Sequence, residues 1–200
     1  MSYGRAPEVI DETSVFWGEI APTEHIVHLY SDEAAFLDMV EGFVAGGLRA
    51  GEAVIVIATE AHLHVLNKRL ELLNLDLPAM NFNGQYTALD AEGCLSQFMV
   101  NGWPDPDRFR GLITRVLERA TRNGRRVRAF GEMVALLWAQ GHSGATVRLE
   151  HLWNEVRQMA PFPLFCSYPQ SGLTRDSEES FRAICAAHTK VITRSPLLIS

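Results

Sequence analysis

Apolar positions along this chain recur with two periods, and the blocks alternate. His25-Ile-Val-His-Leu-Tyr30 reads as a strand, and Phe36, Val40, Phe43, Val44 and Gly47 then recur at helical spacing. Ser31 is positioned to cap that helix, with Asp32 and Glu33 in its first turn, where the positive end of the helix dipole favours acids. Gly51 ends the unit, and Glu52-Ala-Val-Ile-Val-Ile-Ala58 is apolar enough for a central strand buried on both faces. Thr59 caps a second helix with Leu63, Leu66, Leu70 and Leu73 inward. A polar turn at Asn81-Phe-Asn-Gly84 leads to a strand over 85–89, a short helix around 91–100 and the Pro-bounded loop Gly102-Trp-Pro-Asp-Pro106. Phe109, Leu112, Ile113, Val116, Leu117 and Ala120 share one helical face that stops at Asn123-Gly124.

Val127-Arg-Ala-Phe-Gly-Glu132 is a further strand, running into an apolar segment through Trp138 that Gly141-His-Ser-Gly144 breaks. Leu149, Leu152, Trp153 and Val156 mark a helix, and 162–168 a last strand. Phe181, Ile184, Cys185 and His188 mark a C-terminal helix. Residues 1–22 lack periodicity and read as an arm that Phe16 and Trp17 dock onto the domain or a partner. Strands alternating with helices of this length predict right-handed βαβ units, hence an α/β fold with a mostly parallel central sheet and helices on both faces. One domain is expected over 23–193, with a tail at 194–200.

Composition narrows the partners. With 47% hydrophobic and 21% charged residues among 200, the chain is an ordinary globular one. Its net charge of -6 argues against a nucleic-acid footprint. No apolar run approaches the roughly 20 residues that cross a bilayer, and the N-terminus has no apolar leader core, so no membrane association and a cytoplasmic location are expected. Cys94, Cys166 and Cys185 are too few and too widely spaced for a disulfide framework.

Three pairs of stretches together carry a resemblance. They are His25-Ile-Val-His-Leu-Tyr-Ser with Gly51-Glu-Ala-Val-Ile-Val-Ile-Ala-Thr, Phe130-Gly-Glu-Met with Leu149-Glu-His-Leu-Trp-Asn, and Leu164-Phe-Cys-Ser-Tyr-Pro with Ile184-Cys-Ala-Ala-His. In order and spacing, over roughly 24–190, the chain resembles the MEDS domain, the methanogen/methylotroph DcmR sensory domain. The resemblance implies a RecA/KaiC-like three-layer sandwich that senses small hydrocarbon-like compounds. It also implies a signalling partner such as a histidine kinase or transcription regulator. No such output module lies beside the match, so the output is expected to pass through a separate partner.

A RecA-like nucleotide site needs glycines and a lysine between its first strand and helix. That position here is Tyr30-Ser-Asp-Glu-Ala-Ala, with neither residue and two acids, so ATP and GTP binding is not expected. Glu132 is expected at the carboxyl end of a strand, where open α/β sheets place ligand crevices. There it orients a ligand or acts as a base; the plainer alternative is that it pairs with an arginine or caps the next helix. Glu150 and Asn154, four apart, share a helical face. Trp103, Trp138, Trp153, Phe162 and Tyr168 are core residues or pocket walls. Arg115, Arg119, Arg122 and Arg126, extended by Arg125 and Arg128, form a solvated stripe or a site for an acidic partner.

His25 and His28 are three apart on a strand and point to opposite faces, so they cannot share a metal. His62 and His64 also diverge. Cys185 and His188 share a helical face, and Cys166 would make a third ligand, but buried cysteine as a small apolar residue is the commoner case. No metal or cofactor is therefore expected. The candidate ligand-binding set is His28, Tyr30, Glu132, Glu150, Trp153, Asn154, Cys166 and Tyr168. Together these features predict a non-catalytic sensory domain that binds a small, largely apolar molecule and relays occupancy to a partner or through a homo-oligomer. The alternative is a ligand-free interaction module on a degenerate ATPase scaffold.

Overall fold

A computed structural model of the chain describes residues 6–172 and 178–194, so most of the expected 194–200 tail lies outside the described residues. The strands are β1 (Glu8–Ile10), β2 (His25–Tyr30), β3 (Ala53–Ala58), β4 (Tyr86–Asp90), β5 (Met99–Val100), β6 (Trp103–Pro104), β7 (Val127–Gly131), β8 (Leu164–Pro169) and β9 (Lys190–Thr193). The helices are α1 (Glu33–Arg49), α2 (Glu60–Leu72), α3 (Leu77–Phe82), α4 (Ala91–Phe98), α5 (Pro106–Thr121), α6 (Met133–Ala139), α7 (Ser143–Met159) and α8 (Glu178–Ala186). Seven strands form one parallel sheet in the order β1-β9-β2-β8-β7-β3-β4. The expected α/β class therefore holds, with helices on both faces.

Strand alternation sorts the core into two layers. On one face, Phe36, Phe43 and Val44 of α1 and Leu66 and Leu70 of α2 pack on Ile26, Val54, Val56, Phe130 and Phe165. On the other, Phe109, Leu149, Trp153 and Ile184 pack on Val27, Ile55, Ala129 and Leu164. All six residues of β3 are buried, as its continuous apolar run predicted.

Local signals held with corrections. The cap of α1 is Asp32 and not Ser31: the extended Asp32 backbone lets its carboxylate accept the Ala35 N–H at 2.8 Å, while the Ser31 hydroxyl donates to Asp32. Thr59 caps α2 as expected, accepting the His62 N–H at 3.3 Å. The expected turn at 81–84 begins inside α3, which Asp76 caps and Pro78 opens, and only Gly84, with φ +75°, turns the chain. The helix expected around 91–100 ends at Phe98, and Met99–Val100 instead form β5, which pairs antiparallel with β6 in the Pro-bounded loop.

The largest correction concerns the arm. Residues 8–10 form β1, an edge strand paired with β9, which apolar spacing did not reveal either. Trp17 packs on Phe43 and Phe165 with ring centroids 5.3 and 5.0 Å apart, whereas Phe16 remains exposed. Arg128, expected in a solvated stripe, is fully buried and holds this arm. It pairs with Glu52 and donates to the carbonyls of Trp17 (3.1 Å), Phe43 (3.0 Å) and Gly18 (3.0 Å). A Cβ at Gly47 would lie 2.6 Å from the Arg128 side chain, so a glycine there opens the channel for it.

Candidate functional site

A cluster of ionisable side chains lies under α7, on the face opposite Arg128. The register of β2 against β8 sets His25 opposite Leu164, so His25, Cys166 and Tyr168 project from one face. Across this face α7 presents Glu150, then Asn154 one turn later and Arg157 two turns later, while His188 follows α8. His25, Glu150, Cys166, Tyr168 and His188 are all buried. The Tyr168 hydroxyl donates to Glu150 Oε1 at 2.5 Å. His25 Nε2 lies 3.4 Å from Glu150 Oε2 and 3.6 Å from Cys166 Sγ, and His188 Nε2 lies 3.6 Å from Glu150 Oε1.

The surrounding bonds settle both histidine tautomers. His25 Nδ1 faces two acceptors, Asn154 Oδ1 at 3.0 Å and the Ala187 carbonyl at 3.1 Å. Arg157 donates to that same Asn154 oxygen at 3.1 Å, and the Asn154 amide nitrogen donates to Ala187, which orients the amide. His188 Nδ1 donates to the Ile184 carbonyl at 2.7 Å. Both rings therefore carry their proton on Nδ1 and turn a bare Nε2 lone pair toward Glu150 and Cys166. His188 Nε2 has no hydrogen-bond partner among the described residues.

Burial dominates the electrostatics. It lowers His25 and His188 to about 3, with Arg157 and the neighbouring histidine, respectively, adding to the effect, so both rings are neutral and their approach to Glu150 is no ion pair. Burial also raises the Glu150 carboxyl, and it pushes the Cys166 thiol and Tyr168 phenol well up. Arg157 spends its donors on the carbonyls of Phe162 and Thr23 and on Asn154, not on Glu150.

The sequence-derived set is divided between the two faces of the sheet. Glu150, Cys166, Tyr168 and Asn154 come together, joined by His25 and His188. Trp153 belongs to the same helix but turns its ring edge-on to Phe109, 5.0 Å away. Glu132 and Tyr30 lie across the sheet. Glu132 neither meets an arginine nor caps α6 with its side chain; it accepts the Thr59 N–H at 2.9 Å and binds His62 Nδ1 at 2.7 Å, tying β7 to the start of α2. Burial raises Tyr30 to about 12, helped by the charges of Glu132 and Glu33. His28 bonds Glu12 of the arm at 2.9 Å. Of the aromatic candidates, Trp103 is 52% exposed in the hairpin, while Trp138, Trp153, Phe162 and Tyr168 are core.

Sequence reasoning set His25 aside because His28 could not join it, and it reached His188 only through Cys185. The fold instead pairs His25 with His188, ring centroids 3.9 Å apart. Strand alternation was a usable signal for His25, but only with the β2–β8 adjacency in hand. A cleft of about 810 Å³ at the amino-terminal edge of the sheet is lined by His25, His188, Asn154, Arg157, Glu24 and Lys190 among others.

The family profile described as MEDS, the MEthanogen/methylotroph, DcmR Sensory domain, matches residues 24–189, which takes in every residue of this centre. No curated protein sequence matches the chain.

Proposed function

The chain belongs to the MEDS family of sensory domains, and from that premise we propose that its input is read at the Glu150 centre. There it binds a small, largely apolar molecule and relays occupancy to a partner protein or a second copy of itself. The observation that carries this reading is Glu150: a carboxyl with no exposure, set in an apolar layer and, among the described residues, in no salt bridge with a lysine or arginine. Burying such a group costs several kcal/mol, and an apolar side chain of similar volume would be as stable or more so. Perturbed carboxyls, thiols and imidazoles collected in one place mark functional sites more often than structural ones.

The surroundings suit such a ligand. Trp138 stands edge-on to Tyr168 at 6.1 Å, and the indole N–H groups of Trp138 and Trp153 are buried without acceptors. An uncharged molecule with one acceptor would find apolar walls and a few donors. The cleft lined by His25 and His188 adjoins the centre, and displacement of His188 to admit a ligand would move β9 and the edge strand β1 paired with it. The reading is non-catalytic: a thiol pushed well up by burial is a poor nucleophile. Asp32 and Glu33, standing where a nucleotide-binding relative would have a phosphate loop, disfavour ATP and GTP as ligands.

Titration of short alcohols and halocarbons, followed by tryptophan fluorescence and native mass spectrometry, tests the reading. A saturable response that Glu150→Gln abolishes while the far-ultraviolet spectrum stays unchanged is the expected result. Silence across the panel, with the protein folded, would remove the small-molecule reading. It would favour a ligand-free interaction module, to which exposed Phe16, Leu72 and Phe82 lend themselves.

A further inference from the structure

Four atoms from four separate stretches of chain converge in the Glu150 centre, all within 4.8 Å of one another. We propose that this centre binds one divalent transition-metal ion of the zinc class, held by His25 Nε2, His188 Nε2, Cys166 Sγ and Glu150 Oε2. The inference rests on ligand geometry and not on the sensory reading.

Three observations lead there. The first is spacing. Tetrahedral zinc, with Zn–N near 2.0–2.1 Å and Zn–S near 2.3 Å, sets its ligand atoms roughly 3.3–3.6 Å apart. Here His25 Nε2 to Glu150 Oε2 is 3.4 Å, His25 Nε2 to Cys166 Sγ is 3.6 Å, and Cys166 Sγ to Glu150 Oε2 is 3.9 Å; His188 Nε2 completes the set within 4.8 Å and lies 3.6 Å from the other Glu150 oxygen, so a small closing movement of His188 accompanies binding. The second is lone pairs. Both imidazoles present Nε2 without a proton, because Nδ1 is committed to carbonyl and amide oxygens. The Cys166 thiol carries one proton for its several acceptor neighbours, and His188 Nε2 is left without any hydrogen-bond partner among the described residues although fully buried. A cation at the common point satisfies all four atoms at once, with the thiol proton leaving to solvent as the sulfur–metal bond forms.

The third observation is the outer shell. Metal-bound histidines characteristically donate their second nitrogen to a carbonyl or carboxylate, and ligating carboxylates are themselves hydrogen-bonded. His188 meets Ile184 O, His25 meets Ala187 O and Asn154, and Tyr168 holds Oε1 so that Oε2 is left for the ion. Two imidazoles, a thiolate and a carboxylate suit zinc or cobalt(II) rather than magnesium or calcium. The cleft lined by His25 and His188 adjoins the centre. Spacing along the chain had argued against a metal because it grouped only Cys166, Cys185 and His188; the fold replaces Cys185 with His25 and Glu150.

The test uses the full chain, stripped with a chelator and titrated with cobalt(II). The expected result is one equivalent per chain, tetrahedral visible bands and a thiolate-to-cobalt charge-transfer band, all displaced by zinc. Cys166→Ser should remove the charge-transfer band, and His188→Gln should weaken binding at least tenfold, with Cys94→Ser as an unaffected control. Folded protein that takes up no cobalt, or takes it up without a thiolate band and regardless of both substitutions, overturns the proposal; the latter would be ions on exposed histidines. Repeating the alcohol and halocarbon titration on stripped and zinc-loaded protein separates the two readings. Protein that takes up no cobalt yet responds to the small molecules sinks only the metal site, and protein that takes up cobalt yet gives no response, stripped or loaded, sinks only the small-molecule reading.

Discussion

Two buried polar groups occupy opposite faces of one sheet, and they are built on opposite rules. Arg128, under α1, meets an opposite charge in Glu52, and each of its three nitrogens donates to an oxygen. Glu150, on α7, meets neutral imidazoles, a thiol and a phenol, and beside it His188 Nε2 has no hydrogen-bond partner among the described residues. The first network is closed and ties the N-terminal arm to the sheet. The second is open, with more lone pairs than protons. Burial is common to both; completeness of the hydrogen bonding separates them.

The contrast is sharpest in stability. Arg128→Ala should cost about 3–5 kcal/mol in urea unfolding, because it leaves the buried Glu52 with the largely exposed Arg126 (3.2 Å) in place of a buried cation and frees three carbonyls. Glu150→Gln, which keeps the shape, should change stability by less than about 1 kcal/mol. Equal losses from the two substitutions would erase the distinction drawn between the centres.

Metal binding should widen the gap. With free zinc at a thousand times its dissociation constant, the unfolding free energy should rise by about 4 kcal/mol. Neither Glu150→Gln nor Cys166→Ser should show that rise, whereas Glu52→Gln, though less stable, should keep it. A smaller effect is expected one shell out. Asn154→Ala removes one of the two oxygens that hold the His25 tautomer and should weaken cobalt binding by about tenfold.

The smallest effect belongs to the Glu132–His62 pair, at a partly exposed site. Bonding to Glu132 raises the His62 pKa above its ordinary value of 6.5. A raised histidine stabilises fully below its unfolded pKa and loses that contribution as pH climbs through the folded one. Unfolding from pH 6 to 8.5 should therefore show a decline in stability, worth under about 1 kcal/mol given the exposure, that His62→Gln removes. An unchanged profile in that variant would mean that Glu132 orders the β3–α2 connection through the Thr59 N–H alone.

Legibility followed the range of the forces involved. The Val54–Ala58 run, the Thr59 cap and the helical stripe through Leu149 and Val156 were visible because propensity, capping and amphipathic spacing act within one or two turns. β1 and β9 were missed because three or four residues at a sheet edge carry too little periodic signal. Arg128 was misassigned for a related reason. A cation adjoining a run of arginines looks solvated until the strand beneath α1 and the opening at Gly47 show where it goes.

By itself the sequence determined the α/β class, the succession of most elements, the family and the chemical character of Glu150, Asn154, Cys166 and Tyr168 as a candidate set. Only the tertiary structure decided which of them meet. His25 and Cys166 are separated by 141 positions, and their 3.6 Å contact depends on β2 lying beside β8 in one register. A shift of one residue would have turned Cys166 to the other face, away from Glu150. The same strand order sent Glu132 and Tyr30 to the opposite side and brought in His188 from beyond α8. Strand neighbours are selected by the global packing of two apolar layers, and no local pattern encodes that choice.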